Sequence, residues 1–115
     1  MIAATERLVV ELAVADVTRS LAFYRAIGFQ VRRVEARFAE LSFAGNLLML
    51  AADPAQAPGG ANLRILVDDV DARWATVQAL GVRVLFPIRD ARYGLRDFLF
   101  MDPDGNQLRF AQKLG

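Results

Sequence analysis

The chain has 115 residues, 55% of them apolar and 23% charged, which is enough for one hydrophobic core and too little for two. Fourteen basic residues against thirteen acidic ones leave a net charge of +1, so bulk electrostatics give no reason to expect nucleic acid or a charged membrane surface as partner. Cys and His are both absent, which excludes disulfides, thiolate and imidazole metal sites, and Ser-His or Cys-His catalysis.

The first sixteen residues, MIAATERLVVELAVAD, have no basic stretch ahead of an apolar run, and Glu6, Arg7, Glu11 and Asp16 interrupt them. No segment approaches the roughly 20 apolar residues of a membrane helix, so a cytoplasmic protein is expected. Val10, Leu12 and Val14 alternate as in a half-buried strand. Val17, Leu21 and Tyr24 then follow the i, i+4, i+7 spacing of a helix face. Asp16 stands where a carboxylate caps the free N–H groups of that helix, and Gly28 where a left-handed residue ends it. Three strand-like stretches follow, at about 29–34, 37–43 and 46–51. Residues 52–61, with Pro54, Pro58, Gly59 and Gly60, read as a linker.

Beyond the linker the pattern repeats. At a shift of 53, Val14, Asp16, Val17, Gly28 and Val31 fall on Val67, Asp69, Val70, Gly81 and Val84. Leu63, Ile65 and Val67 form the strand, Val70, Trp74 and Val77 the helix face, and about 82–88, 96–101 and 106–112 the three further strands. Gly45-Asn46 matches Gly105-Asn106 at a shift of 60, which places a seven-residue insertion between the second and third strands of the second copy. The expected class is α+β: one domain over 1–115 made of two βαβββ modules, about 8–51 and 62–112. Each module is too small to bury its own sheet. Paired, with helices outside, the curved mixed sheets enclose a cleft. Strand alternation points Val9, Glu11, Ala13, Leu47 and Met49 of the first module into that cleft, with Asn62, Arg64, Leu66, Gln107 and Arg109 of the second. The facing of the third strands is left open, because a bulge at the turn would reverse it.

The runs VADVTRSLAFYRAIGF (Val14–Phe29), VDDVDARWATVQALGVRV (Val67–Val84) and YGLRDFLFMDPDGNQLRF (Tyr93–Phe110) resemble the vicinal-oxygen-chelate superfamily of glyoxalase I, extradiol dioxygenases and bleomycin-resistance proteins. The third run is similar to the bleomycin-resistance branch in particular. The resemblance implies the paired βαβββ fold, commonly a homodimer, and in the enzymes a divalent metal held from the first and last strand of each module. The matching positions here are Val9, Met49, Asn62 and Arg109. Arg109 brings a permanent positive charge to the place of the cation, and Asn62 is a weak donor. No metal and no cofactor are therefore expected, and no catalytic residue is assigned.

The favoured expectation is a small-molecule binder that sequesters an antibiotic or aromatic metabolite, with Val9, Glu11, Met49, Asn62, Arg64, Tyr93, Gln107 and Arg109 as ligand-binding residues. Arg109 and Arg64 favour a neutral or anionic ligand, or pair with Glu11 when the cleft is empty. Arg109 with Glu11 as a purely structural ion pair is an equal alternative. Tyr93 stacks on a flat ligand or anchors its own loop. Trp74 belongs to the core, as do most of Phe38, Phe43, Phe98 and Phe100. Asp102-Pro103-Asp104-Gly105-Asn106 reads as hairpin chemistry, and Arg89, Arg92 and Arg96 as a solvated loop face. A second hypothesis is a metal-dependent lyase or dioxygenase with a relocated site built from Glu11, Glu40 or Asp97. A third is an assembly module whose cleft is filled by its own side chains.

Overall fold

The computed structural model describes residues 6–115, so part of the N-terminal stretch read for a targeting signal lies outside the described residues. The elements run β1 (Val10–Ala13), α1 (Val17–Ala26), β2 (Gln30–Glu35), β3 (Phe38–Phe43), β4 (Asn46–Ala51), β5 (Asn62–Leu66), α2 (Val70–Ala79), β6 (Val84–Asp90), β7 (Leu95–Met101) and β8 (Gln107–Lys113). They form two four-stranded mixed sheets, ordered β1-β4-β3-β2 and β5-β8-β7-β6. In each sheet the first strand runs parallel to the last, and the other pairings are antiparallel. A parallel neighbour needs a crossover, and the helix supplies it. Among the described residues no helix is long and apolar enough to cross a membrane.

The helix boundaries follow from local chemistry. Asp16 accepts from the Arg19 amide at 3.2 Å and Asp69 from the Ala72 amide at 3.1 Å, each satisfying one of the free donors of a first turn. Gly28 and Gly81 both have positive φ just beyond the helix ends. The insertion of the second module enters almost wholly between β6 and β7, since Val31 pairs with Leu41 but Val84 with Phe100.

The third strands face as follows. Ala39 and Leu41 of β3, and Phe98 and Phe100 of β7, are buried on the helix side. Phe38, Glu40, Asp97, Leu99 and Met101 therefore take the open side. One continuous core spans both modules and includes Leu12, Tyr24, Leu50, Val77, Phe98, Phe100 and Phe110. Phe23 of α1 lies 6.3 Å from Phe100, and Phe43 lies 6.1 Å from Phe110, so aromatic rings carry the packing across the module boundary. Trp74 packs edge-on against Phe98 at 5.0 Å.

Polar contacts lock the same boundary. Arg73 of α2 donates to the Ile27 carbonyl at the end of α1 at 3.3 Å, and its guanidinium lies over Phe43 and Phe110. The turn at 102–106 is hairpin chemistry, with Asp102 accepting from the amides of Asp104 and Asn106 at 2.9 Å. It also does more than the sequence reading gave it. Tyr24 of α1 donates to Asp102 at 2.7 Å, while Asp104 accepts from the Ala15 amide, Ser20 and Arg19 at the start of α1. Within the expected solvated face Arg96 is ion-paired. It bridges Asp71 of α2 at 3.0 Å and Asp90 at 3.1 Å. Those two carboxylates, Asp71 first, hold its guanidinium above its usual pKa.

Candidate functional site

The open faces of the two sheets carry side chains in matching rows. In the first module Glu11 stands beside Met49 across the parallel ladder, and Met49 beside Glu40. In the second module the same row reads Arg64, Arg109, Leu99. One step along the second sheet lie Asn62, Gln107 and Met101. Val9 is half-buried just ahead of β1. Glu11, Asn62 and Arg64 are exposed, and Met49, Gln107 and Arg109 are half-buried.

Two cavities lie against these rows. One, of about 330 Å³, is lined by Asn62, Leu63, Arg64, Leu99, Gln107 and Arg109. The other, of about 370 Å³, runs between the modules, with Val10, Leu47 and Leu48 on one side and Leu63, Arg64 and Leu66 on the other. Arg64 borders both. The sequence reading thus places four of its eight site residues (Asn62, Arg64, Gln107 and Arg109) around one hollow, with Tyr93 beside them through Arg64. Glu11 and Met49 belong to the other sheet.

The partners of the charged residues differ from the expectation. Arg109 does not pair with Glu11. Its Nη1 donates to Asp97 Oδ2 at 3.0 Å and to the Tyr93 hydroxyl at 2.7 Å. The Tyr93 hydroxyl in turn donates to the same Asp97 oxygen. Asp97 is only 1% exposed, so its charge requires such a partner. Asp97 is the residue whose role the sequence reading missed, having considered it as a relocated metal ligand and as a counter-charge to Arg89, Arg92 and Arg96. Tyr93 is held by its own module yet remains 51% exposed, so the anchored and the ligand-facing readings describe different parts of one side chain. The Arg64 guanidinium lies over the Tyr93 ring, 5.6 Å from its centroid, and so places a cation against one ring face.

The donor chemistry does not fit the metal centre that the superfamily's enzymes use. Of the corresponding positions, Val9 offers no lone pair, and Arg109 is a cation already bound to a buried carboxylate. The relocated set is not assembled either. Glu40 pairs with Arg32 at 3.5 Å in the first module, while Asp97 is engaged in the second. Among the described residues no three His, Cys, Asp or Glu side chains converge as a metal-binding group.

Residues 7–110 match the family model described as Glyoxalase/Bleomycin resistance protein/Dioxygenase superfamily. No curated protein matches the sequence. Among solved structures, TioX from Micromonospora sp. ML1 is 28% identical, with 95% of this chain and 99% of that one covered at a TM-score of 0.81. A superfamily member from Sphaerobacter thermophilus DSM 20745 is 23% identical, covering 96% and 98% at a TM-score of 0.79. A bleomycin-binding protein, solved in complex with bleomycin, is 22% identical, covering 95% and 99% at a TM-score of 0.77.

Proposed function

The chain belongs to the Glyoxalase/Bleomycin resistance protein/Dioxygenase superfamily, and from that premise we propose that it is a small-molecule-binding protein that sequesters a flat antibiotic or aromatic metabolite in its sheet cleft without metal chemistry. The observation that carries this reading is the hollow on the second sheet, where apolar Leu63 and Leu99 meet Asn62, Arg64, Gln107 and Arg109, with Arg64 lying over the half-exposed Tyr93 ring. Such a surface binds a flat ligand by stacking and orients it with a few polar groups. The bleomycin-binding neighbour shows that this fold holds a ligand in at least one other protein.

The proposed working form is a homodimer in the cytoplasm. Phe86 of β6, which pairs with Leu99, and Leu66 of β5, two residues on from Arg64, are both about half-exposed on the open side. A second copy laid over the open faces would cover these apolar groups and close the cleft.

The test is a thermal-shift screen of antibiotics and acidic or neutral aromatic metabolites, with bleomycin included, on protein dialysed against a chelator. A ligand at about 100 times its Kd adds roughly 2.7 kcal/mol of stability by linkage alone, a shift of roughly 10 °C. Stabilisation that survives the chelator supports sequestration. Stoichiometric bound metal, or ligand binding that disappears with the chelator, refutes it.

A further inference from the structure

The hollow on the second sheet and the groove between the modules meet at Leu63 and Arg64, which line both. The two spaces differ in chemistry. The hollow presents side-chain N–H groups, from the guanidiniums of Arg64 and Arg109 and the carboxamides of Asn62 and Gln107. Among the described residues those carboxamides form no hydrogen bond, and Arg109 commits only its Nη1, to Tyr93 and Asp97. The groove is lined mainly by Val10, Phe29, Phe43, Leu47, Leu48 and Ile65, with Asn46 and Arg64 as its polar side chains. Among the described residues no Asp or Glu lines either space. Asp97 is buried and offsets the charge of Arg109. Arg64 takes part in no ion pair among the described residues, so the junction of the two spaces carries one uncompensated cation. Arg89, opposite Asp97, and Lys113, four residues on from Arg109 in β8, are further unpaired cations on this open face. They line neither space and add potential of the same sign.

Resting on the binding function proposed above, we infer that the ligand is an amphipathic carboxylate: an apolar ring system in the groove and a carboxylate in the hollow, held by Arg64 with Asn62, Gln107 and the uncommitted N–H groups of Arg109. A carboxylate accepts several hydrogen bonds at once, and its charge is opposite to that of Arg64. A hydroxyl in the same place accepts fewer bonds and gains no charge pairing, and an ammonium meets Arg64 as a like charge. Removing the ring from water supplies affinity, while the carboxylate supplies selection.

Naphthylacetate, naphthylethanol and naphthylethylamine, substituted at the same ring carbon, share one ring and one chain length and test this by calorimetric titration at neutral pH. The acid is expected to bind about fivefold more tightly than the alcohol, the scale of one partly exposed ion pair, and the amine more weakly than the alcohol. Arg64→Gln is expected to abolish the acid's advantage with little change for the alcohol, and Leu47→Ser to weaken acid and alcohol alike. Arg89→Gln and Lys113→Gln are expected to leave the advantage in place. Equal binding of acid and alcohol, or tightest binding of the amine, overturns the inference and leaves the binding function standing. So does an advantage that survives Arg64→Gln or vanishes in Arg89→Gln or Lys113→Gln, or a Leu47→Ser variant that binds as the wild type does. Binding of none of the three at millimolar concentration, with the fold intact by circular dichroism, also overturns it, while the thermal-shift screen tests the binding function independently.

Discussion

Replacing Tyr24 with Phe probes the bond that fastens the second module to the first. The Tyr24 ring is wholly buried, 5.2 Å from Phe23 and 5.3 Å from Phe29, and the substitution keeps that packing. It removes one donor from Asp102, which also accepts from the Asn106 side chain at 2.8 Å and from two turn amides. A hydrogen bond to a charged group is worth about 1.5–3 kcal/mol. Because three donors remain, the lower end applies, about 1.5–2 kcal/mol, or a fall in Tm of roughly 6–8 °C for a domain of this size. Alkaline titration gives a second signature. Burial first, and then the bond to Asp102, push the Tyr24 hydroxyl pKa above its ordinary 10.0. Above that pH the unfolded chain releases a proton that the folded chain keeps, so the wild type loses up to about 1.4 kcal/mol of stability per pH unit on this account. The Phe variant has no such group, so its deficit shrinks as pH rises past 10.0. Urea unfolding at several pH values measures both effects. A deficit below about 0.5 kcal/mol at neutral pH, the range of an ordinary surface substitution, refutes the lock, as does a deficit that does not change in alkali.

Three further outcomes follow from the same geometry. Arg109→Met strands the buried Asp97 carboxylate on Tyr93 alone and is expected to cost about 2–3 kcal/mol. Adding Asp97→Leu recovers much of that loss, and a double-mutant cycle in urea reads the coupling. Gly28→Ala forces a side chain onto a residue at φ +114°, and the new Cβ would lie 2.3 Å from Arg73 Nη1. A loss of about 2–3 kcal/mol is expected, and Arg73→Ala should then cost less in that variant than in the wild type, because the clash has already displaced the guanidinium. Asp69→Ala removes the cap of α2 and lowers stability by about 1 kcal/mol in thermal unfolding, leaving the cavity beside Arg64 and Arg109 unaltered.

What could be read from the sequence was what short-range periodicity controls. The two caps, the helix faces of α1 and α2 and the inward alternation of β4 and β8 all follow from spacing within a few residues. The repeat then carried each assignment from one module to the other. That logic stopped at the turns. The β3–β4 turn places Ala44 at φ +49° between Phe43 and Asn46, whereas β7 and β8 are joined through residues 102–106, so the face of Asp97 could not be counted from the first module. With the register known, Asp97 lies opposite Ala111 and Leu99 opposite Arg109, which makes Asp97 the diagonal neighbour of Arg109 on the open face. Glu11 belongs to the other sheet, and its equivalence to Arg64 in the repeat says nothing about reach. Tyr24 shows the same limit from the opposite side. A tyrosine on a buried helix stripe already implies an acceptor for its hydroxyl, because an unpaired one is costly. The chain offers several carboxylates, and only the docking of the 102–106 turn against α1 selects Asp102, 78 residues away. The need for a polar partner is thus local and visible in one residue, while the partner's identity is a property of how two modules meet.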